Sequence, residues 1–327
     1  MSVRALAVAT GYSVATVSRA LRDDPKVGAA TRKSIAAAAE KMGYQSNPYV
    51  GQMMSSLRRR RGSTFHGNMA IVFRSGTSGM ITDLRAQQCL EGMRKRAGEL
   101  GYILDEFDLT NFQPKALQRI ISHRGIRGIL AYTPSFFGAK VRFPLALDSF
   151  ASVAYGWGLW YPQLDCVRAD FFQMIRIALH HACHRFQEKV MAIWDMKTDQ
   201  TAHGAARAAF LAHHPAGPAA ASKLFLPSQN LTEAAFAKMV KKTGAECLLL
   251  TSSLTPPSWL SQYIPEEKWI WFRDPGAVPH FGRIDPQNAL GGRWAVNLLA
   301  AKIQMNQLGV APACQNVMVP PRWIPGK

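Results

Sequence analysis

The side chains best suited to hold a metal or attack a substrate are nine histidines and five cysteines. Their spacing supports neither chemistry. His180 and His184, with His181 beside them, form an i, i+4 pair of the kind one helix face can present to zinc. No glutamate completes a His-Glu-x-x-His arrangement there, so no metal is expected. Cys89, Cys166, Cys183, Cys247 and Cys314 are odd in number and include no Cys-x-x-Cys pair, which reads as buried thiols of a reducing compartment. There is no phosphate-binding Gly-x-x-x-x-Gly-Lys-[Ser/Thr] loop and no Gly-x-Ser-x-Gly elbow. Gly156-Trp157-Gly158 lacks the third glycine and the following helix of a dinucleotide fingerprint. Nothing argues for an enzyme, and no cofactor is expected.

A different chemistry gathers near the N-terminus. The chain carries 39 basic and 21 acidic residues, a net charge of +18, and residues 1–61 alone hold 11 basic and 3 acidic ones. Such an excess suits a polyanion or an acidic membrane surface, the bland alternative being a basic solvated face. No uncharged apolar run reaches the roughly 18–20 residues of a membrane helix. The apolar opening is too short for a signal peptide, so a soluble, cytoplasmic protein is expected, with no membrane partner.

The elements that must position these groups are three short helices. Ser2 can cap the first, in which Val3, Leu6 and Ala7 share a face before Gly11 ends it. The second starts near Ser13 with Val14, Val17 and Leu21 at helical spacing, and Asp23-Asp24-Pro25-Lys26 stops it. The third spans about Ala29 to Met42 with Ile35, Ala38, Ala39 and Met42 inward, and Gly43 closes it. This pattern fits a helix-turn-helix, whose second helix enters the major groove of DNA.

Residues 2–47 closely resemble the headpiece of the lactose/galactose repressor (LacI/GalR) family. The match runs from Ala7 and Gly11-Tyr12-Ser13-Val14-Ala15-Thr16-Val17-Ser18-Arg19-Ala20-Leu21 through Val27 and Thr31-Arg32 to Met42-Gly43-Tyr44 and Asn47. The resemblance places Val14 and Ala15 at two base-reading positions and Arg19 one turn later, where it can donate a bidentate pair to guanine O6 and N7. Ser13, Thr16, Ser18 and Thr31 then offer hydroxyls to phosphate oxygens. Val14 also fits the apolar face of its helix, so core packing is the alternative there. In the family, a short hinge helix follows the headpiece and wedges a leucine into the minor groove. Here that position falls on Met53, an acceptable wedge, within a segment weakened by Gly51. Arg58-Arg59-Arg60-Arg61 then lengthens the linker, either as a solvated tether or as guanidiniums lying along phosphates.

From residue 69 short apolar strands alternate with amphipathic helices, which predicts parallel sheets with helices on both faces. Expected elements include strands 69–73, 102–107, 128–132, 152–157 and 189–194, helices 82–100 and 170–186, and one helix over 201–214. The stretch to about Ile324 resembles the family's periplasmic-binding-protein-like core, most clearly at Ile284-Asp285-Pro286, Gly292, Ala295-Val296, Leu298-Leu299 and Arg322-Trp323. The fold class expected is therefore α/β: an all-α helix-turn-helix headpiece (1–47), a hinge and Arg-rich linker (48–66), and a two-lobed core (67–327). Because the family's chain crosses between lobes three times, one lobe is expected to take 67–160 with 286–312 and the other 161–285 with 313–327.

Ligands in such folds lie at strand C-termini between facing lobes. Candidate effector contacts are Arg74, Ser75 and Trp157 from one lobe, with Ser252, Arg273 and Asp274 from the other. The family's effector-binding arginine falls on Ala206, and Arg207 stands one place away. Trp157 can stack on a sugar face, though eight tryptophans mostly belong to cores. The resemblance implies a repressor that binds a palindromic operator in double-stranded DNA as a homodimer, under control of a sugar or related metabolite. The competing reading is a solute-binding or sugar-processing protein with no DNA role.

Overall fold

The computed structural model describes residues 3–21, 26–42, 66–73, 84–132, 141–158, 160–250, 255–272 and 280–326. The chain divides into two compact units, Met1–His66 and Gly67–Lys327. The first contains α1 (Val3–Thr10), α2 (Val14–Ala20) and α3 (Ala29–Lys41). Leu6, Ala7, Val17, Ala20, Val27, Ile35 and Ala39 form its core, with Leu21, Ala38 and Met42 packed against it. Gly11, at φ +72°, makes the turn between α1 and α2 that a side chain would strain.

The second unit begins with β1 (Gly67–Phe73), α4 (Leu84–Glu99), β2 (Tyr102–Asp108), α5 (Pro114–His123), β3 (Gly128–Tyr132), β4 (Val141–Arg142), β5 (Ala151–Tyr155), β6 (Trp160–Tyr161) and β7 (Asp165–Ala169). It continues through α6 (Phe171–Phe186), β8 (Val190–Trp194), α7 (Met196–Thr201), α8 (Ala205–His213), α9 (Pro218–Ala221), β9 (Phe225–Pro227) and α10 (Glu233–Thr243). The last elements are β10 (Cys247–Leu250), α11 (Leu260–Tyr263), β11 (Trp269–Trp271), β12 (Gly282–Asp285), α12 (Asn288–Gln304), β13 (Asn316–Val319) and β14 (Arg322–Pro325).

Two larger sheets result. One has the order β13-β7-β5-β3-β1-β2, and the other β14-β12-β11-β10-β8-β9. The first is parallel throughout its described pairs, and in the second only β14 runs antiparallel. The strands β3, β5, β8 and β10 are buried at every position, as parallel strands covered on both faces must be. Local signals fix the helices: Thr232 caps α10 by accepting from the Ala235 N–H, and Lys241 and Lys242 sit in its last turn before left-handed Gly244. α12 packs on α4 nearly backbone to backbone. A Cβ on Gly92 would lie 2.1 Å from the Ala289 carbonyl oxygen, and one on Gly292 2.2 Å from that of Cys89.

The chain passes from the first sheet to the second after Ala169, returns through α12 after Asp285, and crosses again between Val319 and Arg322. The return follows Asp285, and the first sheet extends past the other two limits expected from the sequence. Residues 165–169 and 316–319 form β7 and β13 of the first sheet, so the lobe limits expected at 160 and 312 fall too early. The reason is chemical, because β7 is a buried strand that carries Asp165 and Arg168 and shows no continuous apolar run.

Asp165 is tolerated there because Lys302 of α12, equally buried, forms an ion pair with its Oδ2. The Gln315 N–H donates to its Oδ1 at 2.8 Å. The helix expected over 201–214 is also corrected, because it breaks at His203 (φ +56°) and Gly204 (φ +75°) into α7 and α8. Removing one partner of a buried ion pair leaves an uncompensated charge. Lys302→Ala should therefore lower the stability of the second unit by about 3–5 kcal/mol, read from the shift in its urea unfolding midpoint.

Candidate functional site

Two surfaces gather the residues that the sequence singles out. On the headpiece, Ser13 is the N-cap of α2: its Oγ accepts from the Thr16 N–H at 3.1 Å and lies 2.9 Å from Thr16 Oγ1. One hydroxyl proton of this pair is used internally, and the other remains available to a phosphate oxygen. The cap fixes which face of α2 turns outward. Val17 and Ala20 go into the core, while Val14, Ala15 and Arg19 are exposed. Val14 is 47% exposed, which disfavours the core-packing alternative for it.

Tyr12 is exposed just before the cap, and its hydroxyl adds a phosphate-seeking group that the motif contained but the sequence reading did not select. Ser18 and Thr31 are half-buried. Thr31 stands in the first turn of α3, whose N-cap Gly28 supplies no side-chain acceptor to the helix N–H groups. Arg32 is held by donating to the Val27 carbonyl at 3.0 Å, which ties α3 to the preceding loop. Met53, with the rest of the expected hinge and Arg58–Arg61, lies outside the described residues.

In the core, Arg74, Ser75, Ser252, Arg273 and Asp274 also lie outside the described residues, so the effector candidates with a described position are Trp157 and Arg207. Trp157 follows β5, and its indole N–H donates to the Ala169 carbonyl at 2.9 Å. Its ring stacks on Phe171, with centroids 5.8 Å apart, and meets His203 edge-on at 6.1 Å. The Arg168 guanidinium carbon lies 4.6 Å from the ring centroid. Trp157 thus already has protein neighbours, and its geometry suits a fixed platform in the wall between the two sheets.

His203 links this platform to the second lobe. It lines an open depression of about 560 Å³ with Met196, Asp199, Gln200, Gly204, Arg207, Ala208 and Leu211. Asp199 shapes that wall by accepting from the Ala206 and Arg207 N–H groups at 3.0 and 3.1 Å, which caps α8 from the side. Burial pushes the Asp199 carboxyl above its usual range, and those two N–H bonds and the Arg207 charge pull it back.

Ala206, at the position of the family's effector arginine, is fully buried, whereas Arg207 is exposed. The structure therefore brings Trp157 and Arg207 to the same region only through His203. Arg168 and His203 are the members that the sequence reading missed. Of the α6 histidines, His181 stacks on Trp323 with ring centroids 4.3 Å apart, while His180 and His184 are exposed.

The first unit is thus a three-helix helix-turn-helix and the second an α/β unit of two largely parallel sheets. Residues 4–47 match the family model for bacterial regulatory proteins, lacI family, so this segment is a lacI-family headpiece. The fold of the whole chain is shared with solved structures of low identity. The complex of the transcriptional regulator CelR with cellobiose aligns over 100% of this chain and 99% of its own, with TM-score 0.53 and 16% identity. The Lac repressor dimer bound to operator and the anti-inducer ONPF aligns over 100% and 98%, with TM-score 0.51 and 12% identity. A regulatory protein of LacI family from Chloroflexus aggregans covers 79% of this chain and 97% of its own, with TM-score 0.53 and 15% identity. No curated protein sequence matches the chain. Among the described residues, no helix is long and apolar enough to cross a membrane.

The division of labour on α2 can be tested directly. Arg19→Ala should relax the preference at one base pair per half-site and weaken the preferred site by about 1–3 kcal/mol. Ser13→Ala, which removes a helix cap, should lower headpiece stability by about 1 kcal/mol and weaken all sequences alike. Binding titrations against a set of single-base operator variants separate the two patterns.

Proposed function

We propose that the chain is a sequence-specific DNA-binding transcription regulator, a repressor, whose operator affinity is set by a small molecule bound between the lobes of its core. The observation that carries this reading is the exposed Val14–Ala15–Arg19 face on the second helix of a lacI-family headpiece. In this reading Val14 and Ala15 make apolar contacts to base edges such as the thymine methyl, and Arg19 reads guanine. Ser13, Thr16, Ser18 and Thr31 hold the phosphates, and Met53 is the minor-groove wedge.

A single headpiece buries too little surface for high specificity, so the chain acts as a homodimer on a palindromic site. The effector is a sugar or related metabolite. Trp157 and Arg207 are its contacts from the described residues, and Arg74, Ser75, Ser252, Arg273 and Asp274 are those proposed from the sequence. The relation to regulators solved with cellobiose and with ONPF supports the class of ligand.

Removing residues 1–66, the limit of the first unit, should abolish operator binding and leave ligand binding to the core intact. Fluorescence anisotropy on labelled operator, paired with calorimetry on a sugar panel, reads both quantities. A protein with no DNA role would show no sequence-selective binding even at full length. Occupancy of a single half-site by one chain would count against the homodimer.

A further inference from the structure

We propose that Arg168 recognises an anionic group, a carboxylate or a phosphate, on the small molecule taken by the cleft, so that the effector is an acid rather than a neutral sugar. The proposal rests on reading the core as an effector-binding module and narrows the chemistry of what it binds. Arg168 is the last residue but one of β7, the strand that precedes the crossing into the second lobe, and ligands of open α/β sheets bind beyond the strand C-termini. Only 9% of its surface is exposed, and its Nε has no hydrogen-bond partner among the described residues. An arginine stays charged at any physiological pH, and a buried charge destabilises a protein unless something compensates it.

The described surroundings do not supply that compensation. The Trp157 ring offers a cation–π contact, weaker than a counter-ion. Burial pushes the Cys166 thiol up, while the Arg168 charge and its hydrogen bond to the sulfur pull it back, so this contact is to a thiol held toward its neutral form and not to a carboxylate. Of the two acids on either side, Asp165 is engaged by Lys302 and by the Gln315 N–H. Asp170 directs its Oδ1 to the Gln173 N–H as the cap of α6. Across the crossing, Asp199 accepts from the N–H groups of Ala206 and Arg207.

What remains is a charged planar fork whose platform is locked by the bond from Trp157 to Ala169 and touched from the other lobe by His203. Such a fork matches the paired oxygens of a carboxylate or phosphate, and charge-assisted bonds of this type are about twice as strong as neutral ones. A ligand that brings the counter-charge supplies what the described residues around Arg168 do not.

The test uses the full chain as wild type, Arg168→Met and Arg168→Lys. Thermal melting and calorimetry are run at constant ionic strength with D-glucose, D-gluconate, D-glucuronate, D-glucose 6-phosphate and inorganic phosphate. At least one anionic probe should stabilise the wild type. Arg168→Met should weaken that probe by about tenfold or more, and Arg168→Lys should weaken it less. Without ligand, Arg168→Met should melt no lower than the wild type, because it removes an uncompensated charge.

The gluconate and glucuronate arms identify a carboxylate, and the glucose 6-phosphate and inorganic phosphate arms a phosphate. The proposal is overturned if no anionic probe acts on the wild type, if D-glucose alone does, or if Arg168→Met binds the anion unchanged. A ligand-free Arg168→Met that melts well below the wild type marks a packing role and overturns it too. Operator binding measured alongside keeps the two readings apart. Operator release by a neutral sugar, indifferent to Arg168, leaves the regulator standing without this site. Anion binding that depends on Arg168 in a protein with no operator affinity overturns the regulator alone.

Discussion

The first lobe depends on one buried carboxylate. It is assembled from two stretches of chain separated by all of the second lobe but β14, and Asp165 is a point at which they are held together. Its Oδ2 pairs with Lys302 on α12, and its Oδ1 accepts from the Gln315 N–H ahead of β13. The Cys166 N–H returns the bond by donating to the Gln315 carbonyl at 2.8 Å. A buried ion pair contributes little to net stability compared with apolar packing, so its value here is in specificity. It sets which strand α12 covers and places β13 beside β7. The glycine contacts of α12 with α4 then allow the returning helix to seat against the sheet, because bulkier side chains would hold the backbones apart.

The surroundings of Trp157 follow from that placement. With β7 fixed as the strand next to β13, its last residues and the segment after β5 arrive together, and the Trp157 N–H can reach the Ala169 carbonyl. On the second lobe a different device acts. Asp199 draws in the first N–H groups of α8, and the chain reaches them through two consecutive left-handed residues, His203 and Gly204. A non-glycine residue in that conformation persists only where its surroundings over-determine it. Here the surroundings are the carboxylate on one side and the Trp157 edge on the other. The two lobes thus meet through an aromatic contact, which can shift without breaking a strong bond.

How far the sequence could be read follows from how local each determinant is. Ser13 as a cap, Gly11 at positive φ and the core set Leu6, Val17 and Ile35 are short-range features, and the headpiece was legible from them. Val14 stayed ambiguous because helical spacing cannot tell whether the opening residue of a helix lies over the core or beyond its edge. β7 was invisible because its polar residues answer to partners far away, Asp165 to Lys302 across 137 positions. The break at His203 has a nearer cause, Asp199 folding back on α8 within eight positions, but nothing in helical spacing signals it. Arg168 did leave a trace, a charged residue just before the helix-capping Asp170, but only the buried strand around it gives that charge meaning.

On the proposed reading, these features also bound how a ligand can act. A ligand changes the balance of lobe arrangements only by binding one of them better, and couplings of this kind are typically about 1–3 kcal/mol. Arg168 and Trp157 belong to the first lobe and His203 to the second, so a molecule that engages all three distinguishes arrangements that bring them together from those that do not. The consequence falls mainly on the first lobe, since its leading strand β1 starts at Gly67, immediately after the headpiece unit ends at His66. β1 lies inside the sheet between β2 and β3, and a close-packed interior passes on a displacement rather than absorbing it. Arg168, which has no counter-ion among the described residues, adds to this on the same reading, because a ligand that supplies one relieves the charge where it binds. Part of the binding free energy then goes into relieving that local charge and only the remainder is available to move the lobes, so the strength of the switch is limited by how poorly Arg168 is compensated when the cleft is empty.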